Sequence, residues 1–145
     1  DNHVVKHLQE KFDSIKPYQV SDAINILKAI PEYKNSAKET IGPKIVVGSE
    51  DNRAGKVFVD MTGGTEGAVE FLEKLSIAGV GTIVAMHMSE EHIKSAEKVN
   101  INIVVAGHIS SDNLGLNLLF DKVECKFNSV EFIPCSGFRR IKRSG

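Results

Sequence analysis

The first forty residues follow the spacing of amphipathic helices. Apolar side chains recur every three or four residues over Asn2–Phe12 and again over Ala23–Ile30. Pro17 ends the first helical pattern and Pro31 ends the second, because proline cannot continue a helix interior. Residues 31–42 are polar and show no periodicity, so we expect a surface connection there.

After Pro43 the chain changes to short runs of β-branched residues that alternate with helical patterns. The predicted strands are Lys44–Val47, Lys56–Met61, Thr82–Met86, Ile101–Ala106 and Val130–Cys135. The predicted helices are Thr65–Ala78, a segment capped by Ser89 that ends at Val99, and a segment capped by Ser110 or Ser111 that ends at Val123. A turn-rich segment joins the first two strands, which favours a hairpin. Strands separated by helices imply crossovers, so we expect an α/β fold with a mainly parallel, mixed sheet covered by helices.

The composition limits the class of protein. The chain of 145 residues is long enough for one domain, in which we distinguish an N-terminal helical segment with its connection, residues 1–42, from an α/β lobe, residues 43–145. With 41% hydrophobic and 26% charged residues, the chain is globular rather than disordered. A net charge of -1 excludes the strong basic field of a non-specific nucleic-acid binder, so nucleic acid is not an expected partner.

Neither a membrane segment nor a disulfide pattern is visible in the sequence. No apolar stretch approaches the roughly 20 residues that cross a bilayer, and no signal peptide opens the chain. Cys125 and Cys135 form no CxxC pair, which favours reduced thiols and a cytoplasmic location. The chain begins at Asp1, without Met and directly in a helical pattern, which is typical of a processed or truncated product.

The most informative polar residues follow predicted strands, where open parallel sheets bind their ligands. His108 follows one strand, and Asp112 comes four residues later in the first turn of the next helix. A nitrogen and an oxygen ligand at this spacing suit zinc, iron or manganese. The alternative is structural, with His108 hydrogen-bonded at the strand end and Asp112 at the positive end of the helix.

Two further strand ends are candidates. Thr62, Gly63, Gly64 and Thr65 lead from a strand to a helix N-terminus, which predicts either a phosphate cradle or a tight turn with Thr65 as the cap. His87 follows the next strand and is either a proton-transfer or substrate-orienting group or a structural histidine. We expect His87, His108 and the Thr62–Thr65 turn to face one crevice.

The remaining basic and histidine residues have simpler interpretations. His3, His7 and His92 lie on polar helical faces and are expected to be solvated. Four basic residues cluster near the end of the chain, at Arg139, Arg140, Lys142 and Arg143. Such a cluster contacts phosphate or an acidic partner, or is simply a solvated terminus; with Phe138 as its one nearby aromatic residue, it does not predict a nucleic-acid site.

Several segments together resemble the C-terminal part of the Nif-three-like proteins, which are homologues of a second type of GTP cyclohydrolase I. The segments are Ala78–Val84, His87–His92, Ala106–Asp112 with Leu114 and Gly115, and Pro134–Gly137. The segments Pro43–Gly48, Asn52–Gly55 and Asp60–Glu66 are similar to one prokaryotic branch of the family. The resemblance extends over nearly the whole chain.

The resemblance implies a two-lobed α/β fold that assembles into ring-shaped homo-oligomers and holds two divalent metal ions, with this chain as the C-terminal lobe. The family's ligands come from an early His-His pair, a central His-x-x-x-Asp and a late His-x-x-x-Glu. The late motif falls on His108 and Asp112, where Asp stands for Glu, and Asp1 resembles the end of the central motif. The other ligands are absent from these residues, so we expect the isolated chain to bind metal weakly or not at all.

The resemblance also implies an activity. For the intact protein we expect a metal-dependent hydrolase of a nucleotide or another phosphorylated small molecule, with His87 as a catalytic residue and Thr62–Thr65 as the phosphate-binding turn. The isolated chain is expected to be inactive. The alternative is a non-catalytic, metal-binding scaffold that serves assembly and partner recognition.

Overall fold

The structure is a computed structural model that describes residues 1–13, 18–39, 41–62, 67–127 and 129–143. Over these residues the chain forms six helices and four strands. The helices are α1 (Asn2–Phe12), α2 (Val20–Lys28), α3 (Pro31–Glu39), α4 (Phe71–Ile77), α5 (Glu90–Lys98) and α6 (His108–Lys126). The strands are β1 (Lys44–Val47), β2 (Lys56–Asp60), β3 (Val80–Ala85) and β4 (Asn102–Val105).

The four strands form one mixed sheet in the order β1-β4-β3-β2. Strands β2, β3 and β4 run parallel, and β1 pairs antiparallel with β4. Helices cover both faces, so the predicted α/β class with a mainly parallel sheet is confirmed. No helix in the described ranges is long and apolar enough to span a bilayer.

The core has two layers because neighbouring residues of a strand point to opposite faces. Val84 and Val104 are fully buried on the face that carries α1, α2, α3 and the start of α6. Ile83 and Ile103 are buried on the other face, beneath α4 and α5. The near-continuous apolar runs of β3 and β4 are therefore those of central strands buried on both sides.

The expected hairpin between the first two strands is wrong. Strands β1 and β2 lie on opposite edges of the sheet, and residues 48–55 run past the amino-terminal ends of β4 and β3 to connect them. Two buried polar residues hold this connection. Asn102 of β4 accepts a hydrogen bond from Asn52 Nδ2 at 2.8 Å, and Thr82 of β3 donates one to the carbonyl of Ala54 at 2.6 Å. These bonds satisfy the polar groups of the strands while the connection crosses them.

The expected surface connection over residues 31–42 is also wrong, because Pro31–Glu39 is helix α3. Pro31 is the first residue of this helix, a position that needs no backbone N–H bond and suits the fixed φ of proline. Helix α3 buries only Glu32 and Tyr33, so its sequence looks polar throughout. It packs against α6.

Other predicted elements also differ from the structure. Val130–Cys135 is not a strand; Pro134 lacks an N–H donor, and Phe132 stacks on Phe120 of α6 with ring centroids 4.2 Å apart. Helix α6 begins at His108 after Gly107, so neither Ser110 nor Ser111 is its cap. Helix α4 begins at Phe71 rather than Thr65, and residues 67–70 form a loop and turn.

Candidate functional site

The parallel strands bring the predicted site residues to one edge of the sheet. Thr62 lies just beyond β2, His87 follows β3, and His108 follows β4 at the start of α6. The rings of His87 and His108 touch edge to face, with centroids 5.0 Å apart and planes inclined by 72°. The two histidines that the sequence places at separate strand ends are therefore neighbours.

His108 and Asp112 form the second contact of this edge. They lie one turn apart on α6, and His108 Nε2 is 3.4 Å from Asp112 Oδ2. Both side chains are about half exposed, at 48% and 57%. Two ligands of one tetrahedral zinc ion, each bound at about 2.0 to 2.2 Å, are about 3.4 Å apart. The spacing and chemistry of the pair fit two ligands of one metal ion.

Asp1 faces the same region from α1. Its Oδ1 accepts a hydrogen bond from the backbone N–H of Met61 at 2.7 Å, just beyond β2. Asp1 and Asp112 both line an open cleft of about 550 Å³ between α1 and α6. Across the part of the chain that the structure describes, no group of three or more His, Cys, Asp or Glu residues is arranged to hold a metal ion. Among the described residues, His108 and Asp112 are therefore two donors at ligand spacing and not a complete metal site.

The predicted phosphate-binding turn is described only at its first residue. The exposed Thr62 donates its backbone N–H to Asp60 Oδ1 at 3.1 Å, while Gly63, Gly64 and Thr65 lie outside the described residues. Thr62, Asp60 and His87 line a small pocket of about 30 Å³ with an apolar floor. His87 therefore has His108 on one side and this pocket on the other.

His92, which the sequence predicts to be solvated, is only 8% exposed. Its Nε2 lies 3.2 Å from the carbonyl oxygen of Gly67, and its Nδ1 lies 2.8 Å from the hydroxyl of the helix cap Ser89. His92 thus joins the start of α5 to the segment that follows residue 66. Its place in the sequence, as the third residue of a capped helix, gives no sign of this role.

Tyr33 is a second residue that sequence reasoning missed. It is fully buried in α3, and its hydroxyl lies 3.0 Å from Ser111 Oγ in the first turn of α6. Tyr33 and Ser111 both line the cleft beside Asp112. Burial raises the pKa of Tyr33 above its ordinary value, so the phenol stays protonated at neutral pH. In the sequence, the one sign that Tyr33 lies in a helix is Pro31, because proline is common at the first position of a helix.

The basic residues near the end of the chain are all engaged in ion pairs within the molecule. Arg143 contacts both carboxylate oxygens of Glu32 at 2.6 and 2.8 Å, and Arg140 contacts Asp121 at 2.6 Å and Glu124 at 3.0 Å. Arg139 pairs with Glu39 and Lys142 with Glu124. Arg140 and Arg143 thus fasten the segment onto α6 and α3 in buried or partly buried pairs, whereas the pairs of Arg139 and Lys142 are exposed.

Comparison with known proteins finds solved structures of similar fold. No family model and no curated protein matches the sequence. A solved NIF3 superfamily protein from Sphaerobacter thermophilus is 28% identical and superposes with a TM-score of 0.74, covering 86% of this chain and 45% of that one. Reduced HcgD from Methanocaldococcus jannaschii shares the fold at 15% identity and a TM-score of 0.53, over 76% of this chain and 40% of that one. This chain spans less than half the length of either structure.

Proposed function

Because this chain belongs to the NIF3-like family, we propose that it contributes His108 and Asp112 to a divalent metal centre of a hydrolase. The substrate class that we propose is a nucleotide or another phosphorylated small molecule. The observation that supports this most strongly is the 3.4 Å separation of His108 Nε2 and Asp112 Oδ2 at the carboxyl edge of the sheet. A nitrogen and an oxygen donor at ligand spacing, both open to solvent, suit zinc, iron or manganese.

The proposed centre needs more ligands than the described residues bring together. In the intact protein we propose two metal ions per subunit, with Asp1 as a further ligand and the remaining ligands provided from outside these residues. Asp1 uses only Oδ1 for the hydrogen bond to Met61 that is described above, so Oδ2 is the atom we assign to a metal. Metal ions bound there would activate water and attract an anionic substrate.

The other residues of the edge would orient the substrate and move protons. His87 lies against the His108 ring and reaches the pocket beside Thr62, so we assign it the proton transfer to or from the reacting group. The Thr62–Thr65 turn stays our candidate for the phosphate-binding segment. A small phosphorylated ligand, rather than nucleic acid, is the partner we propose, because the four basic residues of the C-terminal cluster already have carboxylate partners.

Calorimetric titration of the chain with zinc and manganese tests the ligand assignment. We expect weak binding, because two or three protein ligands leave most of a dinuclear site unfilled, and we expect Asp112→Asn or His108→Ala to abolish it. Asp51→Asn is the matched control and should leave binding unchanged. Asp51 is exposed in the connection that runs past the amino-terminal ends of the strands, away from the proposed site. Tight stoichiometric binding that survives His108→Ala would mean that the ligands are misassigned.

Turnover tests the enzymatic part of the proposal. A longer protein that contains this chain, loaded with metal and given a panel of nucleotides, should show metal-dependent hydrolysis that His87→Gln reduces by about 100-fold or more. Metal binding without turnover of any compound would favour the second candidate, a non-catalytic metal-binding scaffold.

Assembly and location complete the proposal. We propose a ring-shaped homo-oligomer for the intact protein, which the measured molar mass of the purified protein would test. We also propose a cytoplasmic location, because Cys125 and Cys135 are both exposed free thiols, as is usual in a reducing compartment. Rapid labelling of both thiols in unreduced cell extract is the expected result, and a disulfide would contradict it.

A further inference from the structure

Gly107 is the junction that sets the two histidines side by side. Its N–H donates to the carbonyl of Met86 at 3.2 Å, and Met86 and Gly107 immediately precede His87 and His108. This bond fixes the distance between the two chain segments just before each ring. Gly107 has φ +107°, and a Cβ there would lie 2.7 Å from Ser110 Oγ, so the junction requires glycine.

The carbonyl of Gly107 is held from the other side by Ser111. Ser111 Oγ donates to this carbonyl at 2.6 Å, and the backbone N–H of Ser111 donates to it at 3.1 Å. Because the hydroxyl proton of Ser111 is directed to Gly107, the Tyr33 hydroxyl is the donor in the 3.0 Å contact between Tyr33 and Ser111. A chain of hydrogen bonds thus runs from Tyr33 through Ser111 to the residue before His108.

Helix α3, which carries Tyr33, is itself held firmly. Glu32, its neighbour, is buried and accepts hydrogen bonds from Asn117 of α6 at 3.0 Å and from Arg143 at 2.6 and 2.8 Å. Helices α3 and α6 are therefore joined at two levels, by Tyr33 near the site and by Glu32 two turns further along α6. These contacts fix the position of Tyr33 relative to α6.

We infer that Tyr33 is a positioning residue of the site: through Ser111 and the Gly107 carbonyl, its hydroxyl sets the contact between His87 and His108 and the direction of His108 toward Asp112. The relevance to metal binding rests on the proposed function. The contact between the His87 and His108 rings, and the hydrogen bonds that connect it to Tyr33, do not depend on that function.

Tyr33→Phe tests this, because it removes the hydroxyl and keeps the ring in the core. By nuclear magnetic resonance, the His87 and His108 ring protons of the unaltered protein should show a nuclear Overhauser effect. We expect Tyr33→Phe to weaken it at least twofold and to shift both ring resonances. Tyr18→Phe, near the amino-terminal end of β2, is the matched control and should change neither. If Tyr33→Phe does not fold, Ser111→Ala removes the same link and provides the readout.

Cobalt(II) titration, followed by its visible absorption, separates this inference from the proposed function. If the unaltered protein binds cobalt through His108, Tyr33→Phe should weaken binding about tenfold, as loss of an outer support usually does. If a longer protein that contains this chain shows no cobalt binding that depends on His108, the metal proposal fails, whereas the ring contact still decides whether Tyr33 positions the histidines. An unchanged ring contact in folded Tyr33→Phe or Ser111→Ala would overturn the inference.

Discussion

At the scale of single residues, Gly48 shows how the sheet and the connection after β1 fit together. Its backbone has φ +93°, a conformation that side chains disfavour, and a Cβ there would overlap the side-chain amide of Asn102. Asn102 is buried in β4, where it accepts a hydrogen bond from Asn52 and donates one to the carbonyl of Gly81 at 2.8 Å. Any side chain at position 48 would push this network apart.

We therefore predict that Gly48→Ala lowers the free energy of unfolding by about 2 kcal/mol or more, from backbone strain and loss of the Asn102 contacts. Gly115→Ala is the matched control. Gly115 lies inside α6 with open space around its Cβ position, so alanine should raise the free energy of unfolding by about 0.5 to 1 kcal/mol. Urea unfolding measures both, and equal effects of the two substitutions would contradict the prediction.

Glu124 provides a prediction for acid stability. Its hydrogen bond to Lys142, with help from Arg140, holds the pKa of this carboxyl below its ordinary value. A carboxyl with a lowered pKa in the folded state contributes stability above the unfolded-state pKa, about 4.3, and loses it as the pH falls through the folded-state pKa. Between pH 5 and pH 3, the Glu124→Gln variant should lose less stability than the unaltered protein. Glu97→Gln, on the exposed side of α5, is the control, and an equal loss in all three proteins would contradict the prediction.

At the scale of elements, Arg143 joins the C-terminal segment to α3 through Glu32, whose side chain is only 2% exposed. We predict that Arg143→Met costs about 3 kcal/mol of unfolding free energy, because it leaves a buried carboxylate without its cation. Adding Glu32→Gln should recover part of this loss in a double-mutant cycle. Lys142→Met removes an exposed pair and should cost less than about 1 kcal/mol. A similar loss from both single substitutions would show that the pair is not buried in solution.

The elements also show what the sequence could and could not predict. Helix α1 and strand β1 have the predicted bounds. Helix α1 buries Val4, Leu8 and Phe12, the apolar positions whose spacing indicates the helix in the sequence. The predicted hairpin is wrong because strand pairing depends on contacts between distant residues. Strand β1 pairs with β4, almost sixty residues away. Helix α3 was missed because it buries only Glu32 and Tyr33, which gives no apolar period.

The site also contains some features that could be predicted from the sequence and others that could not. The closeness of His87 and His108 could be predicted, because both follow parallel strands and such strands end at one edge. Tyr33 could not be predicted, since its partner Ser111 lies 78 residues further along the chain and the contact depends on how α3 packs against α6. The ion pair of Glu32 with Arg143 joins residues 111 positions apart, so its partners could not be identified from spacing either.

At the scale of the whole molecule, the two core layers share the same two central strands. Val84 and Val104 face α1 to α3, whereas the adjacent Ile83 and Ile103 face α4 and α5. If one layer unfolded, one face of each central strand would be exposed to water, and the sheet under the other layer would lose the packing on that face. Residues 1–42 and residues 43–145 are thus expected to unfold together, although the sequence distinguishes them as two segments.

Fluorescence can test this cooperativity, because the chain has no tryptophan and only two tyrosines. Tyr18 and Tyr33 both pack against the layer that carries α1 to α3, so they report on that face. Phe71→Trp adds a probe on the opposite face, where Phe71 is 45% exposed and meets Phe58 edge to face. Tyrosine emission of the unaltered protein, tryptophan emission of the variant and circular dichroism of both should give one urea midpoint, as in a two-state transition. An earlier change in tyrosine emission would instead show that residues 1–42 detach as a unit before the sheet unfolds.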